Sequence, residues 1–76
     1  MSCTLLRKDI LEALIAEAQG KITKARMNVE VYLHNPVGIG EHPNVMAAIQ
    51  DQLDVIAHHT ERLDVLNQFI DTHDHA

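Results

Sequence analysis

An intrachain disulfide is ruled out at once, because Cys3 is the only cysteine in 76 residues. A lone thiol suits a reducing compartment. Neither Cys-x-x-Cys nor His-x-x-x-His occurs, which removes the usual signatures of structural zinc. Tryptophan is missing, and tyrosine and phenylalanine occur once each. Basic residues are also scarce: six against eleven acidic ones give a formal charge of −5. That balance repels phosphate backbones, and the short cluster Lys21, Lys24 and Arg26 has no interleaved aromatics on which bases could stack. No nucleic-acid role is expected. Nor does any run of about eighteen apolar residues occur, and the residues after Met1 lack the charged-then-apolar order of a signal peptide. The expectation is a cytoplasmic chain that does not bind or cross a membrane.

A single domain of 76 residues lies near the lower limit at which one core offsets conformational entropy. With disulfides and a zinc motif excluded, self-association is the expected source of extra burial.

What the sequence does contain is helical periodicity. From about residue 4 to 34 there is no proline and a single glycine, Gly20. Leu11, Ile15, Ala18, Ile22, Ala25, Val29 and Tyr32 recur at alternating spacings of four and three. This predicts one long amphipathic helix with a narrow packing stripe. Thr4 is its expected N-cap, although Arg7 stands where a capping box would place Glu or Gln. A second helix is predicted over about 45–72, with Met46, Ile49, Leu53, Ile56, Thr60, Leu63, Asn67 and Ile70 as its stripe. Between them, residues 35–44 have the composition of a corner. Pro36 ends the first helix, Gly38 and Gly40 supply positive φ, and Pro43 suits a first helical turn, with His42 or Asn44 as cap.

The fold class predicted is all-α: two long antiparallel helices in a hairpin. Folding about the corner pairs positions whose numbers add to roughly 79, so Ala18 faces Thr60 and Leu11 lies near Asn67 and Ile70. A second apolar set is left over: Leu6, Ile10 and Leu14 on the first helix, and Val55, Val65, Leu66 and Phe69 on the second. Two helices cannot enclose it, so it is expected to lie against a second copy in a homodimeric four-helix bundle, with His59 at the same interface.

Six histidines are the compositional oddity. His34, Glu41 and His42 at the corner, and Cys3 with His73, Asp74 and His75 at the ends, have the ligand chemistry of a divalent metal. Helix termini account for the corner histidines without one. His58 and His59 are adjacent and diverge by about 100° on a helix, so they do not chelate one ion together. Protonation of all six would move the formal charge from −5 to +1, so a bundle with His59 near its interface could loosen below pH ~6.5.

The stretch "VYLHNPVGIGEHPNVMAAI", and within it Tyr32 to Pro43, resembles small helical-hairpin proteins encoded by T4-like tailed phages of marine bacteria. The resemblance implies a phage-encoded protein in the cytoplasm of an infected bacterium, engaged in virion assembly or in binding a host protein. It brings no catalytic residues. The function expected is therefore a noncatalytic protein-interaction or assembly protein without a cofactor. Its corner residues Val37, Ile39, Glu41 and His42 are candidates for contact with another phage or host protein, and a metal-binding module is the alternative.

Overall fold

The computed structural model describes residues 3–34 and 44–74, and the side chains of residues 6–34 and 44–70. The corner, with Val37, Ile39, Glu41 and His42, lies outside the described residues, as do His75 and the side chains of Cys3, His73 and Asp74.

Two helices make up the described chain: α1, Cys3–His34, and α2, Val45–Asp74. Thr4 is inside α1 rather than capping it. Asn44 is the residue ahead of α2, and its carbonyl accepts a hydrogen bond from the Ala48 amide at 3.2 Å, the first bond of the helical ladder. At the other terminus of the corner, His34 Nδ1 donates to the Glu30 carbonyl at 2.8 Å, where a cation-prone side chain also suits the helix dipole. The structure continues α1 through Gly20, whose cost of about 1 kcal/mol relative to alanine is outweighed by thirty-odd helical residues around it.

The helices run antiparallel. Arg7 bonds to the Phe69 carbonyl near one end and Asn28 bonds to Gln52 toward the other, so rising numbers on α1 meet falling numbers on α2. A rod results, 54 × 20 × 15 Å, with a radius of gyration of 17.2 Å. A compact globule of this length would have a radius near 11 Å.

On α1 the inward stripe is the expected one. Ala18 and Ala25 are buried at 1% and 2% exposure, and Leu11, Ile15, Ile22, Val29 and Tyr32 are half-buried. The two alanines sit seven residues apart and let the backbones approach along the middle of the rod. On α2 the stripe is rotated from the expected one. Ile49, Ile56, Leu63 and Ile70 do face α1, but Met46 is 71% exposed and Leu53, Thr60 and Asn67 also face solvent. Val45, Gln52, His59 and Leu66 take their places, one position earlier in each heptad. The correction has a simple source. Either set of eight positions contains six apolar residues and obeys the same alternation of three and four, so periodicity does not choose between them.

Candidate functional site

The rotation of α2 determines which side chains share a surface. Arg7, Leu14, Lys21 and Asn28 are spaced seven apart on α1 and form one column along the helix. Three of the four engage α2. Arg7 Nη2 donates to the Phe69 carbonyl at 2.9 Å, Asn28 Nδ2 donates to Gln52 Oε1 at 3.1 Å, and the Lys21 charge acts on His59. Leu14, the fourth member, therefore borders α2 between the levels of Arg7 and Lys21. On the same flank of α2, Val55, Arg62 and Phe69 form the matching column, with His58 and Val65 beside it.

Of the residues expected at an oligomer interface, Leu6, Ile10, Leu14 and Phe69 are exposed, Phe69 by 55%. Val55 is half-buried. Leu66 and His59 need correction. Leu66 is only 9% exposed and belongs to the hairpin's own seam, and His59 sits in that seam as well, because the rotated stripe carries both inward. Val65 is exposed as expected, and Met27 and Val31 extend the exposed apolar surface beyond the residues singled out from sequence.

Midway along the rod lies a polar group. Arg62 Nη2 donates to His58 Nε2 at 3.0 Å, and the His58 and His59 rings meet edge to face at 4.9 Å. His58, Glu61, Arg62 and Val65 line a shallow open depression on the surface. His59 Nδ1 is sealed from solvent and has no hydrogen-bond partner. Burial pushes the His59 pKa below the ordinary histidine value, and the charges of Arg62, His58 and Lys21 push it further, with Glu17 opposing them. A proton on Nδ1 finds neither water nor an acceptor there.

Among the described residues, no three His, Cys, Asp or Glu side chains gather in a way that holds a metal ion. Among the same residues, no helix is long and apolar enough to cross a membrane. The Asn28–Gln52 pair was missed in the sequence because Asn28 falls beside the α1 stripe and Gln52 beside the expected α2 stripe. Only the rotated register brings them together. Comparison with protein-family models, curated proteins and solved structures finds no match to this chain.

Proposed function

We propose that this hairpin is a noncatalytic interaction or assembly protein that works as a homodimer, adding to its burial against a second copy. The observation that carries this reading is the shortfall of burial within one chain. Only Ala18, Ala25 and Leu66 are buried among the described residues, while ten large hydrophobic side chains, from Leu6 to Phe69, stand exposed. The surface is 5971 Å², and a compact monomer of this length exposes roughly 4,700 Å². An excess of roughly 1,300 Å² per chain is of the size that specific homodimers bury. Water leaves such a surface at a gain of about 25 cal/mol per Å², which makes a second copy the economical cover.

The resemblance of the corner supplies a setting for the same proposal: a phage-encoded protein in an infected bacterial cytoplasm, offering Val37, Ile39, Glu41 and His42 to a host or phage protein. Light scattering on the purified protein across the micromolar range tests the first part, with a mass of two chains expected. A folded monomer at every concentration would overturn it.

A further inference from the structure

A second stripe runs along α1, on the side opposite the seam. Leu6, Ile10 and Ala13, then Glu17, Gly20 and Lys24, then Met27 and Val31 follow one another at spacings of four and three, and all eight are exposed. This is the spacing of the buried stripe, repeated over the same length of helix where α2 does not reach. Its chemistry is ordered along the axis: apolar at each end, charged toward the middle, and glycine at the centre. A Cβ at Gly20 would meet nothing within 4 Å. The hairpin itself therefore gives no reason for a helix-weakening glycine there.

We infer that this stripe is the dimer contact, and that α1 packs antiparallel against α1 of a second copy with the two-fold axis passing at Gly20. The inference rests on the homodimer reading and assigns it a surface. Turning the stripe end for end about Gly20 lays it on a complementary copy of itself. Ile10 meets Val31 of the second copy, Ala13 meets Met27, Glu17 meets Lys24, and Gly20 meets Gly20, where the absence of side chains allows the backbones to close. A parallel arrangement would set Glu17 against Glu17 and Lys24 against Lys24, and it would align the two helix dipoles unfavourably. Charge thus selects the antiparallel pair. Both flanks oppose it, since Asp9 falls opposite Glu30 of the second copy on one side and Lys21 near Lys21 of the second copy on the other, which limits the affinity. The assembly is a row of four helices, α2–α1–α1–α2, with the hairpin seams on the outside and the two-fold contact in the middle.

Two sets of variants test the surface. Glu17→Lys and Lys24→Glu each replace two attractive pairs per dimer with repulsive ones, and each is expected to weaken association roughly tenfold in sedimentation equilibrium. The double exchange restores the pairs and should return the affinity toward that of the natural chain. Circular dichroism of each variant establishes that the hairpin itself is intact. In the second set, a Gly20→Cys chain that also carries Cys3→Ser is oxidised, and a disulfide-linked dimer is expected, since the two positions meet on the axis within bridging distance. Dimers by light scattering without cross-linking at position 20, or a double exchange as weak as its singles, would overturn the surface and leave the homodimer standing. Monomers throughout would overturn both.

Discussion

The hairpin seam is interrupted by polar side chains at two levels, and the two are handled in opposite ways. Toward the corner end, Asn28 and Gln52 meet across the helices and satisfy each other. Midway, His59 enters the seam without a partner for Nδ1, beside the cationic Lys21 and Arg62, and the carboxylate of Glu17 opposes them only from the far side of α1. A satisfied polar pair fixes register at little cost, since each group exchanges a bond with water for one with its neighbour. An unsatisfied one weakens the seam and makes it sensitive to protonation. The first layer holds the alignment of the helices, and the second lets it loosen.

The largest effect is expected from breaking the satisfied layer. Asn28→Ala removes the donor and leaves Gln52 Oε1 part-buried without it, at a cost of about 1–2 kcal/mol. For a domain of this size that corresponds to a fall in Tm of roughly 5–15 °C, read by thermal denaturation at fixed protein concentration. An unchanged Tm would mean that water serves Gln52 equally well.

Acidification should act on the other layer. Because the folded pKa of His59 is lowered, the unfolded chain binds its proton first. The contribution of this group is therefore complete above about pH 6.5, and it declines as pH falls from there toward the lowered pKa. Urea denaturation from pH 7.5 to 5 measures the decline. His59→Leu should raise stability at neutral pH, by less than Asn28→Ala lowers it, and remove this part of the acid slope. A variant with the same slope as the natural chain would place the pH response at other histidines. The smallest effect is expected from Arg62→Gln. It removes a charge that depresses His59 but leaves the larger contribution of burial, so the decline should become shallower and end at a higher pH. A decline that steepened would contradict the repulsion between Arg62 and His59.

The outward stripe of α1 was legible in the sequence only at one end. Leu6, Ile10 and Leu14 stood out as unused apolar residues, but Met27 and Val31 did not, because charged residues and Gly20 separate the two ends. Continuous exposure along α1 joins them. The α1 seam was legible because its neighbouring registers would bring in Glu12 and Arg26, or Arg7 and Lys21, at positions that a core excludes. No such penalty marked either register of α2.

By itself the sequence determined two long helices, the reversal between them and the packing face of α1, since these follow from local periodicity, helix-breaking residues and the cost of burying charge. Only the tertiary structure decided which face of α2 turns inward. With six apolar residues on each candidate face, the choice fell to interactions across the seam: the close approach allowed by Ala18 and Ala25, and the Asn28 bond that reaches Gln52 in one register alone. Those contacts join residues distant in the chain, and no local pattern records them.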